Sequence, residues 1–440
     1  MDVLVMWPPH IPSYFNAGHH LGVFLTASYL RGQPGITSVD PVDAGALNYT
    51  WKELGELFYQ HRYDLVAIVN DFDNVDDLPR LLRYIRALSP GSQVITGGRL
   101  STQTPEVFRA FDLDAIVHSG DLEAAVAGYA TYLAAPGSLV PAGVSIRTDG
   151  GWVSGARGTA LPPSEWQLPD PADIPYAAYD RMYRRDQNKF CGIPERRELV
   201  VPVARGCAVN CSFCEVPSVQ GMRDRRLTVE RTVSYIEMCF AQHPFEYVSF
   251  YAPTFTFDRK WTLRLCKELV ARGSCFPWKC ATTIAHLDGE LVTAMAASGC
   301  VRVSVGVETL EPGGLPTLPR RKQTELERFH ALAASCERHG VELNCFVIAG
   351  LPGTTVKGTA RTVEEIRSVG ARVRPTVYSS LGRLREATDV LALSTFNRQL
   401  LHPEDVADPA TADAFHAFLF GKEDWSTRVM HRVPVRGADL

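Results

Sequence analysis

Three cysteines lie close enough together in the sequence to bind one metal cluster. Cys207, Cys211 and Cys214 fall within eight residues at C-x3-C-x2-C spacing. A cubane of four irons and four sulfides normally takes four cysteine thiolates, so a compact set of three leaves one iron without a protein ligand. The alternatives are a zinc knuckle or three buried thiols, but a closed zinc site needs four ligands and no partner stands at finger spacing. The motif therefore predicts a 4Fe-4S cluster with one iron open to a small molecule.

The cysteine motif, with Phe213 just before its third cysteine, resembles the signature of the radical S-adenosylmethionine (SAM) superfamily. The resemblance implies that the open iron chelates the amino and carboxylate groups of SAM. It also implies that reductive cleavage of SAM yields a 5′-deoxyadenosyl radical, which abstracts hydrogen from a substrate. The partners expected on this ground are a small polar substrate and a one-electron reductant such as flavodoxin.

Two later segments resemble the cofactor-binding marks of the same superfamily. In the segment 305–308 the carboxylate of Glu308 would bind the ribose hydroxyls of SAM, and in the segment 347–353 the backbone would meet the adenine. Glycines in such segments allow a close approach of the backbone to the ligand. The resemblance assigns these residues to SAM binding: Phe213, Ser304, Gly306, Glu308, Ile348, Gly350 and Leu351.

Three adjacent basic residues, Arg320, Arg321 and Lys322, follow the strand that ends in Glu308. Either one of them pairs with the carboxylate of SAM, or all three form a solvated basic turn. For proton transfer on the substrate, the candidates are polar residues near predicted strand ends: Glu215, His286 and Tyr378. Each of these three could instead have a structural role.

Strand-like and helix-like runs alternate along most of the chain, which predicts an α/β fold. Five strands interleaved with helices predict a doubly wound, Rossmann-like domain at residues 1–138. A hairpin at 144–153 and a proline-rich stretch predict a connector at 139–197. Six further strands predict a partial (β/α)6 barrel at 198–378, with its chemistry at the carboxyl ends of the strands. Residues 379–440 are expected to form a helical extension.

The first predicted domain resembles the cobalamin-binding fold that precedes many radical SAM cores, through the segments 93–98 and 115–123. Cobalamin itself is expected to be absent. The segment Asn70 to Asn74 would place two carboxylates and a Phe beside the anionic tail of the cofactor, where they would repel and crowd it. The Asp-x-His-x-x-Gly motif that supplies a cobalt ligand is missing, and His19 and His20 at a helix start are more often solvated or capping residues.

Composition and charge narrow the class of protein. The 440 residues are 45% hydrophobic and 21% charged, as in ordinary globular domains, and the net charge of −4 shows no basic surplus of the kind nucleic-acid binding requires. No signal peptide or apolar run of membrane-spanning length is apparent, so a cytoplasmic protein is expected, with homodimer formation left open. The eight cysteines outside the motif are scattered, which favours buried core thiols over disulfides.

These observations predict a radical SAM enzyme acting on a small polar natural-product intermediate. Radical diol dehydration of an aminosugar without cobalamin, as in aminoglycoside antibiotic biosynthesis, is the expected reaction, because enzymes of this two-domain build that deoxygenate aminosugars look the nearest match. The first alternative is a cobalamin-dependent radical SAM C-methyltransferase. The second is an iron–sulfur redox or sensor protein that binds a cluster without cleaving SAM.

Overall fold

The computed structural model describes residues 1–9, 19–72, 74–135, 137–184, 197–274 and 276–398. Most of the predicted helical extension, residues 399–440, therefore lies outside the described residues. Within the described ranges, no helix combines the length and the apolar character that a membrane span requires.

The first domain contains a seven-stranded sheet. Its strands are β1 (Asp2–Trp7), β2 (Ser38–Asp43), β3 (Leu65–Asn70), β4 (Gln93–Gly98), β5 (Ala115–Val117), β6 (Val144–Thr148) and β7 (Gly151–Ser154). Their spatial order is β2-β1-β3-β4-β5-β6-β7, with the first five strands parallel and the last two antiparallel. The strand order reverses between β1 and β3, which is where ligands of doubly wound sheets bind, at the carboxyl ends of the strands.

Helices cover both faces of this sheet, which explains why β3 is an unbroken buried run. The helices are α1 (Leu21–Arg31), α2 (Ala44–Leu47), α3 (Trp51–Gln60), α4 (Leu78–Leu88), α5 (Arg99–Gln103), α6 (Pro105–Phe108) and α7 (Leu122–Ala134). Helices α1 and α7 pack on one face of the sheet, and α3, α4 and α6 pack on the other.

The second domain contains a six-stranded sheet and a small two-stranded one. After α8 (Tyr176–Arg184) the strands are β8 (Glu198–Pro202), β9 (Ala204–Arg205), β10 (Arg225–Arg226), β11 (Tyr247–Tyr251), β12 (Trp278–Thr283), β13 (Cys300–Glu308), β14 (Glu342–Ala349) and β15 (Arg372–Val377). The parallel order β8-β11-β12-β13-β14-β15 follows the chain, as in a partial barrel. Helices α9 (Val216–Val219), α10 (Val229–Gln242), α11 (Arg259–Ala271), α12 (Gly289–Ala297), α13 (Leu326–Arg338) and α14 (Val356–Ser368) connect these strands.

The predicted fold class is confirmed, since a Rossmann-like sheet precedes a six-stranded parallel core. The structure differs from the sequence-based boundaries in the hairpin at 144–153. It forms β6 and β7 of the first sheet rather than part of the connector, because Val144 and Ile146 are buried against that sheet.

The described part of the C-terminal extension returns to the first domain. It contains α15 (Leu381–Arg385) and α16 (Val390–Arg398), whose buried Leu384 and Leu393 join the core of the first domain. Phe396 stacks on Phe72 with 5.7 Å between ring centroids. The extension, which follows the second domain in the chain, therefore packs against the first domain beside the carboxyl end of β3.

Candidate functional site

The three cysteines of the motif lie in one loop, residues 206–224, which is named the cysteine loop below. The loop begins after β9 and ends before β10, and these two short strands pair with each other. Gly206 turns the chain with φ of +84°, and a Cβ there would stand 2.1 Å from the carbonyl oxygen of Arg223. The backbone N–H of Cys207 donates to the carbonyl of Gly221 at 3.1 Å. The loop is thus closed at its base, at the carboxyl end of the first barrel strand.

The thiols of the cysteine loop suit a cluster. Cys211 is buried, and Cys207 and Cys214 are half-buried. Burial raises the pKa of the Cys211 thiol to about 12, an effect that the nearby Lys322 opposes, and burial also raises the pKa of Cys214. These thiols therefore stay neutral until a positive metal displaces their protons.

No group of three His, Cys, Asp or Glu side chains in the described ranges is arranged for a single metal ion. A cubane does not require that arrangement. Each of its cysteine ligands binds a different iron, so their sulfur atoms stand farther apart than the ligands of one ion. The three cysteines fit such a cluster, and they offer no fourth thiolate from their own loop.

A buried ion pair lies beside the cysteines. Lys322 Nζ donates to Glu308 Oε1 at 2.7 Å, and the two side chains are 14% and 6% exposed. Burial alone would lower the pKa of Lys322, but Glu308 and the neighbouring Cys211 and Cys214 outweigh it, so the pKa is raised and the amine stays charged. Of the three adjacent basic residues, Lys322 is thus the one that turns inward, whereas Arg320 and Arg321 are exposed. A cation and an anion here can hold the two ends of a zwitterionic ligand.

The backbone conformation of β13 determines the position of this ion pair. The pairing of β13 with β14 shifts register between Gly306 and Glu308, and Glu308 has φ of +61°. A bulge of this kind re-aims a side chain next to a functional site, and a positive φ in a residue other than glycine is uncommon. A Cβ on Gly306 would stand 2.2 Å from Glu308 Oε1 and 2.3 Å from Lys322 Nζ. Glycine at 306 is therefore what allows the ion pair to lie across the strand.

The variant Gly306→Ala is expected to displace the Lys322–Glu308 pair while leaving the cysteine loop unchanged. We expect SAM to bind at least roughly tenfold more weakly, since a hydrogen bond to a charged group is worth about 1.5–3 kcal/mol. Equilibrium dialysis of the reconstituted protein against labelled SAM measures this change. Gly382→Ala is a suitable control because a Cβ there meets only a side-chain oxygen at 3.5 Å. Unaltered SAM affinity in Gly306→Ala would contradict this role of the glycine.

An apolar surface forms the other side of the site. Ile348 and Leu351, at the end of β14, pack with Leu318, and Phe213 and Tyr378 pack against them. Gly350 between them has φ of +77°, which allows the chain to turn there. This surface brings together most of the residues expected to bind adenine. Ser304 lies deeper on β13, where its hydroxyl accepts a hydrogen bond from Asn344 Nδ2 at 3.1 Å.

The three candidate acid–base residues do not form one group. Glu215 lies in the cysteine loop directly after Cys214, His286 follows β12, and Tyr378 follows β15. Because β12 and β15 are three strand spacings apart, these two strand ends are separated by about 14 Å. Tyr378 belongs to the apolar surface described above. Glu215 instead pairs with Arg99 of the first domain.

His286 lies in a basic environment. Its Nδ1 is 2.6 Å from Thr283 Oγ1, and its ring is 5.1 Å from that of Phe257. Burial lowers the pKa of His286, and the cations Arg321, Arg328, Arg226 and Lys322 lower it further. The imidazole is therefore neutral at neutral pH, a state in which it can accept a proton.

Glu215 is held by a residue of the first domain that sequence reasoning missed. Arg99, at the start of α5, forms ion pairs with Glu215 at 2.9 Å and with Asp71 at 3.1 Å. Burial raises the pKa of Glu215, and Arg99 opposes this effect. Gln103 at the end of α5 donates to Ser218 Oγ at 2.6 Å. The carboxyl edge of the first sheet therefore contacts the cysteine loop directly.

The same contacts weaken the charge argument against cobalamin. The crevice between the carboxyl ends of β1 and β3 is bordered by the segment that begins at Asn70. The charge of Asp71 in this segment is compensated by Arg99. Phe72 is 3% exposed and packs into the core, so it does not crowd the crevice. Asp73 lies outside the described residues.

The two histidines at the start of α1 have other partners. His20 stacks on Trp7, with 3.8 Å between ring centroids, and its Nδ1 is 2.8 Å from Asp43 Oδ2. His19 stacks on Tyr179 at 4.2 Å. Within the first domain and its connector, His20 is therefore engaged in packing and hydrogen bonding, and His19 is engaged in ring stacking.

The glycine pair of β4 packs against protein. A Cβ on Gly97 would stand 2.3 Å from Leu122 Cδ1, and one on Gly98 would stand 2.1 Å from the carbonyl oxygen of Asn70. The close approach that these glycines allow is therefore with α7 and β3. The resemblance of the segment 93–98 to cobalamin-binding folds implies a different role, in which the paired glycines let the backbone approach the nucleotide tail of the cofactor.

Comparison with known proteins places the second domain in a family. The model of the radical SAM superfamily matches residues 201–366. An uncharacterised methyltransferase of Pyrococcus horikoshii is 23% identical over 319 residues, which are 71% of this chain and 66% of that protein. The anaerobic magnesium-protoporphyrin IX monomethyl ester cyclase of Rubrivivax gelatinosus is 25% identical over 369 residues, or 82% and 61% of the two chains. The chain thus spans about three fifths to two thirds of the length of these relatives.

A solved structure extends the likeness to both domains. It is the radical SAM methyltransferase TsrM from Kitasatospora setae with cobalamin and a 4Fe-4S cluster bound. The TM-score is 0.66 at 20% identity, and the match covers 86% of this chain and 71% of that chain. At this level of identity the likeness establishes the fold.

Two expectations change in the light of these relatives. The expected absence of cobalamin is not supported, since a neighbour with the same two-domain fold binds it. These relatives also give no support to dehydration, because none of the three is a dehydratase. The alternative expectation, methyl transfer, is the better supported of the two reactions.

Proposed function

We propose that this chain, whose residues 201–366 form a radical SAM domain, is a cobalamin-dependent radical SAM enzyme that methylates a carbon atom of a small polar substrate. The observation that carries the proposal is the direct contact of the carboxyl edge of the first sheet with the cysteine loop, through Arg99 and Glu215. Two cofactor sites that must exchange groups would have to adjoin in this way. The relatives named as methyltransferases support the choice of reaction.

The residues around the three cysteines fit a cluster and SAM. Three thiols in one loop leave one iron open, and the inward-facing Lys322 and Glu308 lie beside them. Lys322 would bind the carboxylate of SAM, and Glu308 would bind the ribose hydroxyls through the oxygen that Lys322 does not occupy. Phe213, Ile348 and Leu351 would cover the adenine. In this arrangement the chain excludes water from SAM and fixes its orientation.

The crevice between β1 and β3 fits cobalamin in its position and its charge. It lies at the switch point of the sheet, Arg99 compensates Asp71, and its edge faces the cysteine loop. His19 and His20 are engaged elsewhere, so neither is assigned to cobalt. When bound, the cluster supplies the electron that cleaves SAM, and cobalamin carries the methyl group to be transferred.

Residues near the strand ends would accept a proton from the substrate and position it. His286 is neutral and half-buried, with Nδ1 beside Thr283 Oγ1, so it can accept a proton at Nε2 when Nδ1 carries the hydrogen. Glu215 holds its position through Arg99 and would fix the boundary between the two cofactor sites. Tyr378 would contact the substrate from the apolar side of the site.

The test is anaerobic reconstitution with iron, sulfide and hydroxocobalamin, followed by turnover with methyl-labelled SAM. Candidate small polar substrates are supplied, and products are analysed by mass spectrometry. We expect about one cobalamin per chain by absorbance, formation of 5′-deoxyadenosine, and label in the product. Arg99→Gln should weaken cobalamin retention, whereas the exposed Arg83→Gln on α4 serves as a matched control. A protein that cleaves SAM but retains no cobalamin and transfers no label would overturn methyl transfer.

Radical dehydration of an aminosugar diol without cobalamin is the second candidate. Its support is the packing of Gly97 against Leu122, which differs from the role that a cobalamin-binding fold gives to this glycine. In that reaction Glu215, His286 or Tyr378 would take the proton of the substrate hydroxyl after hydrogen abstraction, and the neighbouring hydroxyl would leave. The same experiment separates the candidates, because dehydration yields a product lighter by water and free of label.

A further inference from the structure

We propose that Asp121 and Glu123 of the first domain are positioning residues for the cluster, because they hold both ends of the cysteine loop. The inference rests on the proposed cluster at Cys207, Cys211 and Cys214, and it is independent of whether cobalamin binds. Asp121 is the residue just before α7, and Glu123 lies in the first turn of that helix. Their partners are two arginines of the second domain that immediately flank the cysteine loop.

Asp121 holds the end of the loop. Its two oxygens accept from Arg225 Nη1 at 2.7 Å and from Arg225 Nη2 at 3.1 Å, a bidentate geometry that fixes orientation as well as distance. Arg225 also donates to the carbonyls of Leu161 at 2.6 Å and Gln220 at 2.9 Å. Gln220 belongs to the cysteine loop, so one guanidinium joins the first domain, the connector and the loop.

Glu123 holds the beginning of the loop. Its Oε1 accepts from Arg205 Nη1 at 2.6 Å, and the same nitrogen lies 3.5 Å from Asp121 Oδ2. Arg205 stands two residues before Cys207. The ring of Trp166 lies under both guanidinium groups, 4.5 Å from Arg205 and 5.6 Å from Arg225. Two acids, two arginines and one indole thus form a closed network.

The network is buried and its charges are matched. Asp121 and Glu123 are 6% and 4% exposed, and Arg225 is 9% exposed. Buried charges that lose a partner are costly, so the arginines have one favourable arrangement. Arg205 and Arg225 are partners in the pairing of β9 with β10, which forms the base of the loop. The first domain therefore sets the position of both ends of the segment that carries the three thiolates.

This arrangement gives the first domain a direct influence on the cluster. Groups that orient metal ligands from outside the ligand sphere determine how firmly the metal is held. The cysteine loop turns through Gly206 and Asn210, both at positive φ, and its path depends on where its two ends are fixed. Loosening those ends would let the thiolates move apart without removing any of them.

The test compares Asp121→Asn and Glu123→Gln with wild-type protein after anaerobic reconstitution. Both variants are expected to bind four irons, but to lose them to a chelator roughly tenfold faster and to form 5′-deoxyadenosine roughly tenfold more slowly, as for other groups that orient metal ligands. The electron paramagnetic resonance spectrum of the reduced cluster with SAM should broaden or shift. Glu123→Asp, which keeps the charge, should partly restore the chelator resistance.

Asp173→Asn is the matched control. It breaks another ion pair between the connector and the first domain, with Arg31 at 2.5 and 2.9 Å, but it does not touch the cysteine loop. Its chelator resistance and spectrum should equal those of the wild type. Wild-type values in both Asp121→Asn and Glu123→Gln would overturn the proposal. Glu123→Gln keeps the test decisive if Asp121→Asn does not fold, because Asp121 also accepts from the backbone N–H of Leu161.

The outcome can be separated from failure of the proposed function. If the cysteines bound no cluster, wild-type protein would contain no chelatable iron after reconstitution. If the enzyme bound no cobalamin, the chelator and spectroscopic results would stand unchanged. The positioning role is therefore excluded only if an intact cluster keeps its chelator resistance and its spectrum in both Asp121→Asn and Glu123→Gln.

Discussion

Replacing any one of Cys207, Cys211 and Cys214 with alanine is expected to abolish SAM cleavage. Each thiolate would bind a different iron, and the cysteine loop contains no further cysteine that could take its place. Reconstituted wild-type protein should contain about four irons and four sulfides per chain and show the broad visible absorbance of such a cluster. The three variants should lose most of the iron and form no 5′-deoxyadenosine.

The control for this prediction is a cysteine outside the motif. Cys239 and Cys266 lie in the buried core of the second domain on α10 and α11. Cys239→Ala and Cys266→Ala should lose stability, because they leave small cavities, but keep the full iron content. Full iron and absorbance in a variant of the motif would mean that the cluster assignment is wrong.

Lys322→Met is expected to reduce SAM binding strongly while leaving the cluster in place. The substitution keeps the length of the side chain but leaves the carboxylate of Glu308 buried without its partner at 2.7 Å. Breaking a buried pair in this way costs about 3–5 kcal/mol, much of it from the remaining charge. It also removes the cation assigned to the SAM carboxylate. We expect SAM affinity to fall at least about a hundredfold.

Three variants separate the parts of this effect. Glu308→Ala should keep the cluster and weaken SAM binding roughly tenfold or more, since it removes the contact to the ribose. In the double variant Lys322→Met and Glu308→Ala, the loss should be smaller than the sum of the single losses, because the two residues are coupled. Arg320→Gln is the control, because Arg320 lies on the same short 3-10 helix, Arg320–Lys322, but is exposed. Isothermal titration with SAM under anaerobic conditions gives these affinities, and wild-type affinity in Lys322→Met would exclude the pair from the SAM site.

Features that depend on a few neighbouring residues could be predicted from the sequence. The cysteine spacing, the strand before it and the short segment around Glu308 are local patterns, and the structure places them at strand ends as the family resemblance implies. The alternation of strands and helices was also sufficient to predict the two sheets, because period and length distinguish the elements.

Features that depend on residues far apart in the chain could not be predicted. Nothing in the pattern around Arg320, Arg321 and Lys322 distinguishes the cation that turns inward, since this depends on the packing of a short helix against Glu308. Arg99 meets Glu215 across 116 residues of sequence, and the ion pair that Arg99 also forms with Asp71 weakens the charge argument built on that aspartate. The hairpin at 144–153 could be recognised, but the sheet it joins is decided by tertiary pairing with β5.

The contacts of the segment 115–123 with the second domain could likewise not be predicted from the sequence. Its resemblance to cobalamin-binding folds drew attention to a cofactor, whereas two of its acids contact the arginines beside the cysteine loop. The sequence around a carboxylate does not indicate which arginine it will pair with in the folded protein. Fold resemblance can therefore locate such a segment, but only the contacts define what its residues do.

The most direct test of the central claim is the electron paramagnetic resonance spectrum of the reduced wild-type cluster, recorded with and without SAM labelled with ¹⁷O in its carboxylate. A cluster that is held by Cys207, Cys211 and Cys214 and leaves its fourth iron open, with Lys322 and Glu308 beside it, predicts a change of g values on addition of SAM. It also predicts a resolved coupling to the labelled oxygen by electron–nuclear double resonance. A reduced four-iron cluster whose spectrum is the same with and without SAM, and which shows no such coupling, would contradict the assignment of this site to SAM.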